Sequence, residues 1–401
     1  MESIRRIYWP AINLIGPGAV KEIGIEIKKL NLKKLLLVTD KVLRAVGVVD
    51  HVTTVLDEAQ IDYVIFDDVE PNPTCKNVND GLKAFKLNNC DSLLSVGGGS
   101  PQDAAKAIGI LFTNGGNIVN YEGIGKSVNR SVPIVAVNTT AGTASEVTVN
   151  YVITDEVRKI KMVMVDPNSL ATIAVNDPEL MIKMPAGLTA ATGMDALTHA
   201  IESYITKGAF RLSETLSLEA IRLIGESLVT AVMDGENIEA RSKMAWGSYI
   251  AGLSFSNCGL GVVHSMAHQL GAEYNLPHGV ANSILLPYVE EFNSVVNVEK
   301  FAKIAKALGI NTDHLSDEEA RREAITYLAE MAVNLNIPKL SETAFKLEDI
   351  NKLAAQAMLD VCTGGNPRDV SIDDIKTIYK NTYYEILFAR RSHLEHCAVR
   401  Y

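Results

Sequence analysis

Short runs of aliphatic residues recur at strand length through the first 177 positions of the chain, after which the pattern changes to helical periodicity. The runs are KKLLLVTD (33–40), DYVIFDD (62–68), DSLLSVGGG (91–99), PIVAVNTT (133–140) and ATIAVND (171–177), each ending in Gly, Asp, Asn or Thr. A strand with one wet face alternates apolar and polar residues, whereas a continuous apolar run suits a strand buried on both faces, as in a parallel sheet. The first three runs lie about 30 residues apart, the length of a βαβ unit. From about Leu188 onward, segments such as SETLSLEAIRLIGESLVTAVM, EARSKMAWGSYIAGLSFS and EKFAKIAKALG carry helical periodicity instead. The expected fold is an α/β domain with a parallel sheet over residues 1–185, then an all-α domain over 186–401, divided near Pro185. A chain of 401 residues fits two domains of about 180–200 residues.

Charge and composition exclude several classes of function. A net charge of −10 argues against a nucleic-acid partner, which calls for a basic stripe. No apolar run approaches the roughly 20 residues needed to cross a bilayer, and MESIRRIYWP lacks the apolar centre of a signal peptide. The five cysteines (Cys75, Cys90, Cys258, Cys362, Cys397) are scattered without a C-x-x-C pair. They are expected as reduced thiols in a soluble, cytoplasmic protein. The terminal ARRSHLEHCAVRY, beyond about residue 388, is expected to be a surface tail without functional weight.

Two small-residue loops leave consecutive strand ends. Gly97-Gly98-Gly99-Ser100-Pro101-Gln102-Asp103 follows a strand and opens a helix, whose first free N–H groups suit a pyrophosphate. The same residues also read as local helix-start chemistry, with Ser100 as N-cap, Pro101 at the first helical position and Asp103 closing a capping box. Thr139, Thr140 and Thr143 in TTAGTASE offer hydroxyls to a nucleotide, or else satisfy their own backbone. Two such loops at adjacent strand ends favour a nucleotide. Asp40, ending the first run, either accepts the adenosine ribose hydroxyls, favouring NAD over NADP, or caps the helix KVLRAVG. It precedes the glycine turn by two strands, unlike the acid of the G-x-G-x-x-G fingerprint.

Four of the eight histidines fall in two short windows. Asp195 and His199 lie four apart in GMDALTHA, as do His264 and His268 in GLGVVHSMAHQLGAEYNLPHG, with His278 a loop later. Residues four apart share a helix face. Imidazoles with one carboxylate suit Fe²⁺ or Zn²⁺ rather than Ca²⁺ or Mg²⁺. Spacing alone leaves open which of the five would bind. The bland alternatives are a cap for Asp195 and a surface imidazole for His268. An ion so held acts as a Lewis acid on an alcohol or carbonyl oxygen.

GGGSPQDAAKAI, TTAGTASE, DPELM with KMPAGLTAATGMDALTHAIESY, and GLGVVHSMAHQLGAEYNLPHGVANSILLP together resemble the iron-dependent (type III) alcohol dehydrogenases. The resemblance runs from near residue 5 to about 385. CTGGNPR (362–368) is similar to a motif of the 1,3-propanediol and methanol dehydrogenase-like branch. The resemblance implies an N-terminal Rossmann-like domain and a C-terminal helical domain (the dehydroquinate synthase-like fold), with the site in the cleft. It implies Asp195, His199, His264 and His278 as metal ligands, Fe²⁺ first and Zn²⁺ as the alternative. His268 would sit beside nicotinamide and substrate as a proton relay. Asp40, Asn72, Gly98, Gly99, Ser100, Asp103, Thr139, Thr140, Thr143, Lys161 and Leu180 match the family's dinucleotide contacts. Ala144 departs from the glycine many members carry there, which implies a stiffer loop and unchanged chemistry. The implied partners are a small alcohol or aldehyde and further copies of the chain, as a homodimer or a ring of dimers.

The expected activity is reversible hydride transfer between small primary alcohols and NAD⁺. A lyase of the dehydroquinate synthase kind would need basic residues around the metal, and few (Lys183, Lys207, Arg211) lie near the ligands in sequence. Glycerol dehydrogenase-like polyol oxidation is the other alternative; those relatives lack a histidine at the position of His199. A non-catalytic metal- or nucleotide-binding protein is the third.

Overall fold

The structure, a computed structural model, describes residues 4–387. The terminal tail expectation lies outside them. The strands are β1 (Ile12–Ile15), β2 (Lys34–Val38), β3 (Asp62–Phe66), β4 (Ser92–Gly97), β5 (Gly123–Ile124), β6 (Ile134–Asn138), β7 (Asn150–Asp155), β8 (Ile160–Val165) and β9 (Ile173–Asn176). Six of them form one all-parallel sheet in the order β1-β9-β6-β4-β2-β3. Its five inner and right-hand members are the five apolar runs. Every residue of β4, β6 and β9 is buried, as continuous apolar runs require.

Alternate residues feed two cores. Leu36, Val38, Leu93 and Ala136 pack on one face with Phe85 and Ile108. Leu35, Leu37, Leu94, Val96, Val135 and Val137 pack on the other with Ile23, Val49 and Leu56. These partners come from α1 (Ile23–Lys29), α3 (Val48–Glu58), α4 (Cys75–Leu87) and α5 (Gly99–Asn114), with α2 (Lys41–Ala45) between the first two. The chain runs from β2 outward to β3 and then back past β2 to β4. The carboxyl ends of β2 and β4 therefore flank the point where strand order reverses, where open α/β sheets bind ligands.

Three local details differ from expectation. Helix α5 begins at Gly99 with Gly98 as N-cap and no side-chain cap, so the capping box of Ser100 and Asp103 does not form. The helix starts directly off the strand, which places both side chains inside its first turns and frees them for other partners. The edge strand β1 and the antiparallel hairpin β7–β8, with Thr154 opposite Lys161, were not anticipated. Asp195 and His268 are neither cap nor surface group: both are buried within helices.

After β9 the described residues hold no strand. The helices are α6 (Ala186–Ile205), α7 (Arg211–Met233), α8 (Ile238–Cys258), α9 (Val262–Tyr274), α10 (His278–Ser294), α11 (Val298–Ala307), α12 (Asp317–Asn334), α13 (Ile350–Leu359) and α14 (Ile372–Tyr383). Helix α6 is buried almost all round and packs against α7, α8 and α10. Gly193 permits this, since a Cβ there would run into Leu228 and Met244. No described helix is long and apolar enough to cross a membrane.

Candidate active site and metal centre

The central helix α6 carries Asp195 and His199 one turn apart, α9 carries His264 and His268, and His278 opens α10. Close helix approach brings them together. A Cβ on Gly279 would lie 2.5 Å from the Ala191 carbonyl oxygen, so glycine lets the start of α10 rest on α6. As a result one ligand-capable atom each from Asp195, His199, His264 and His278 lies within 4.8 Å of the others. His278 Nε2 is 3.6 Å from Asp195 Oδ1, and His199 Nδ1 is 4.0 Å from Asp195 Oδ2. The His199 ring stacks on Phe255 at 4.2 Å and on His264 at 4.5 Å.

Burial governs the charge state of this cluster. It drives His264 and His278 well below the usual histidine value, helped by the neighbouring imidazoles. It lowers His199 against the pull of Asp195, and raises Asp195 against the pull of His199. Neutral imidazoles present lone pairs, and His199 Nδ1 is buried with no hydrogen-bond partner. Unpaired buried acceptors are costly unless a donor or cation meets them. Three neutral imidazoles and a carboxylate therefore fit a borderline divalent cation.

Two carboxylates orient the imidazoles from behind. His264 Nδ1 hydrogen-bonds Glu202 Oε2, and the other Glu202 oxygen accepts the Val263 N–H at 2.8 Å. Burial lifts Glu202 to about 7 against the pull of those donors. Glu202 shares a face of α6 with Asp195 and His199, so the i, i+4, i+7 spacing carried the signal that sequence reasoning passed over. His268 Nδ1 pairs with Asp360 Oδ2 at 2.8 Å across 92 residues of chain, a contact with no local signature. Burial opposes ionisation of Asp360, but the His268 contact and its hydrogen bonds outweigh it and hold the carboxyl low. His268 thus groups with Asp360 and Cys362 rather than with the four converging residues. Its ring stacks on His278 at 5.4 Å.

One cavity joins the two halves of the molecule. Asn72, Gly99, Ser100, Asp103, Thr143 and Lys161 line one side, and His199, His264, His268 and His278 the other. Gly98 and Gly99 interlock with the threonine loop: Cβ atoms there would lie 3.0 Å from Thr140 Oγ1 and 3.1 Å from Thr143 Cγ2. Asn72, left-handed at φ 58°, knots the cavity wall. It accepts from Lys161 Nζ at 2.7 Å, donates to Asn275 Oδ1 at 2.9 Å, and gives its backbone N–H to Ser100 Oγ at 3.3 Å. Burial lowers Lys161 to about 8. Asp103 accepts from Ser145 Oγ at 2.7 Å and the Val152 N–H at 3.0 Å, and burial raises it to about 6.

The remaining expected nucleotide residues stand apart from that cavity lining. Asp40 caps α2, accepting the Leu43 N–H at 2.8 Å, beside the strand-order reversal. Thr139 is buried, with its N–H on the Gly97 carbonyl at 3.3 Å. Leu180 belongs to the core of the opposite sheet face and borders a separate depression with Val20 and Asp50. Ala144 takes a left-handed φ of 50° while its methyl packs beside Gly252.

Residues 10–178 match the profile described as iron-containing alcohol dehydrogenase, and residues 189–383 match its C-terminal counterpart. The chain belongs to the iron-containing alcohol dehydrogenase family. Within this family it is 47% identical over 373 residues to the NAD-dependent methanol dehydrogenase of Bacillus methanolicus, covering 93% of this chain and 98% of the relative. It is 48% identical over 377 residues to the 1,3-propanediol dehydrogenase of Citrobacter freundii, covering 93% and 97%. A crystal structure of 1,3-propanediol oxidoreductase superposes with a TM-score of 0.93 at 46% identity, covering 95% of this chain and 100% of that one. The resemblance drawn from sequence motifs, to the 1,3-propanediol and methanol dehydrogenase-like branch, agrees with these matches.

Proposed function

We propose that this chain is a metal- and NAD-dependent alcohol dehydrogenase that interconverts small primary alcohols or diols and their aldehydes by reversible hydride transfer. The observation that carries this reading is the convergence of Asp195, His199, His264 and His278 on a cavity whose facing wall is the Gly99–Ser100 turn. Those four residues would hold Fe²⁺, with Zn²⁺ as the alternative ion. When bound, such an ion supplies Lewis acidity that favours the alkoxide form of the substrate.

The chain's own residues supply orientation and proton transfer. The glycine turn and the first N–H groups of α5 receive the pyrophosphate, while Thr140, Thr143, Asn72 and Lys161 border the cofactor's path. Asp40 at the strand-order reversal repels a 2′-phosphate and so favours NAD over NADP. Holding the nicotinamide against the substrate carbon supplies part of the rate by fixed geometry. Asp360 fixes the His268 tautomer with Nδ1–H inward to the carboxylate, leaving Nε2 to accept the alcohol proton and pass it to water. The division near Pro185, a cytoplasmic location and a homodimer or ring of dimers complete the proposal; free thiols at Cys75, Cys90, Cys258 and Cys362 accord with a reducing compartment.

The test is alcohol-dependent NADH formation across a panel of short alcohols and diols, with NAD⁺ or NADP⁺, before and after chelation. Activity restored by Fe²⁺ or Zn²⁺ supports the proposal. Full activity in a protein shown free of metal would refute it.

A further inference from the structure

We infer that Asn282 is a positioning residue of the metal site, its carboxamide NH₂ holding three of the four converging side chains in register. The inference rests on the proposal above that those side chains hold a cation. Asn282 lies on α10 one turn beyond His278 and is wholly buried. Its Nδ2 is 2.6 Å from Asp195 Oδ1, 3.1 Å from His264 Nε2 and 3.2 Å from His278 Nε2. A single atom therefore touches groups delivered by α6, α9 and α10.

The chemistry of the amide explains why asparagine suits this place. All three neighbours are acceptors: a carboxylate oxygen and, with the rings neutral, imidazole nitrogens. Left alone, their lone pairs repel one another, and gathering them opposes the approach of the helices. An amide NH₂ is a neutral donor that offsets this repulsion while no ion is bound. Its delocalised nitrogen is no ligand, so the N–H groups facing the two imidazole Nε2 atoms yield those atoms' single lone pairs to the ion, whereas the contact with Asp195 Oδ1, an oxygen with further lone pairs, persists. The orientation is dictated by the same neighbours. Turned over, the amide would set its oxygen against the carboxylate. In the orientation it takes, its Oδ1 is left buried without a partner, a cost that a side chain filling space alone would avoid. Residues that orient ligands in this way alter metal affinity about 10–100-fold when replaced.

The test uses the full chain, stripped of metal by chelation and titrated with Co²⁺. Wild type is compared with Asn282→Leu, which keeps the volume and loses the donor, and Asn282→Ala, which shortens the side chain and is the safer fold. Circular dichroism of the stripped proteins selects the variants that fold. The expected result is Co²⁺ affinity weakened about tenfold or more, with displaced visible ligand-field bands because Asp195 is no longer held. A merely structural role would leave those bands unmoved. Folded variants with wild-type affinity and spectrum overturn the inference while leaving the metal site standing. Tighter binding also overturns it, since the amide would then be competing for the lone pairs. A wild type that binds no Co²⁺ removes the metal site itself and this inference with it.

Discussion

His264 turns its Nδ1 into the carboxylate of Glu202 on the neighbouring helix, so that its Nε2 faces the Asp195 side of the cluster. One hydrogen bond thereby fixes ring, tautomer and the direction of the lone pair. Glu202→Gln is expected to weaken metal affinity about tenfold, and Glu202→Ala up to about a hundredfold. Competition against a chromogenic chelator measures both. Unchanged affinity would mean that the carboxylate merely fills space.

The pairing of His268 with Asp360 separates proton handling from metal binding. His268→Ala is expected to lower turnover by about 10²-fold or more while the protein keeps its metal. Asp360→Asn, which retains the shape but weakens control of the tautomer, should lower turnover less. Steady-state kinetics with metal analysis of the same samples decides the matter. Metal loss in His268→Ala would make this imidazole a ligand.

Gly279 sits where a side chain would strike the backbone of α6. Because the obstacle is a carbonyl rather than a flexible side chain, Gly279→Ala must push α10 outward. Destabilisation of about 1–3 kcal/mol is expected, together with reduced metal content, since His278 is the adjacent residue. Denaturant unfolding and metal analysis report the two effects; a variant with wild-type stability would show that the helices yield freely.

Glu146 is wholly buried, accepts from Asn176 Nδ2 on one oxygen at 2.8 Å and leaves the other without a partner. Burial lifts its carboxyl from the usual 4.5 to about 7. The folded state thus binds the proton more tightly than the unfolded chain. The associated stability is fully present below pH 4.5 and is lost as pH rises through about 7. Glu146→Gln, neutral throughout, should gain on wild type as pH rises from 4.5 to about 7 and hold that gain above it, by an amount on the order of 1–3 kcal/mol. Melting curves that start at pH 4.5 and pass 7 test the sign; a difference that stays constant from 4.5 to 7 would show that the carboxyl does not titrate there.

Local pattern carried the elements and the residue pairs. Apolar runs without alternation announced strands wet on neither face, because a residue's neighbours along the chain dictate how much surface a strand must hide. Four-residue spacing placed Asp195 with His199 and His264 with His268 on common faces, because helix geometry is fixed by the backbone. Cap chemistry was less legible. At Asp40 both a ribose contact and a cap were open; the cap forms through one carboxylate oxygen, which leaves the proposed ribose contact standing beside it. At Ser100 the helix starts earlier than its capping motif suggests. The short edge strand β1 and the hairpin β7–β8 gave too few residues for a period to stand out.

By itself, then, the sequence determined a parallel sheet followed by helices, and a set of five candidate metal-seeking side chains. The motif resemblance set His268 apart from the other four; only the tertiary structure shows those four converging, His268 paired with Asp360, and Glu202 and Asn282 in contact with the cluster. The physical reason is that spacing along a helix fixes direction within that helix alone. Where one helix meets another depends on packing between distant segments, here on glycines such as Gly193 and Gly279 that let backbones close to contact.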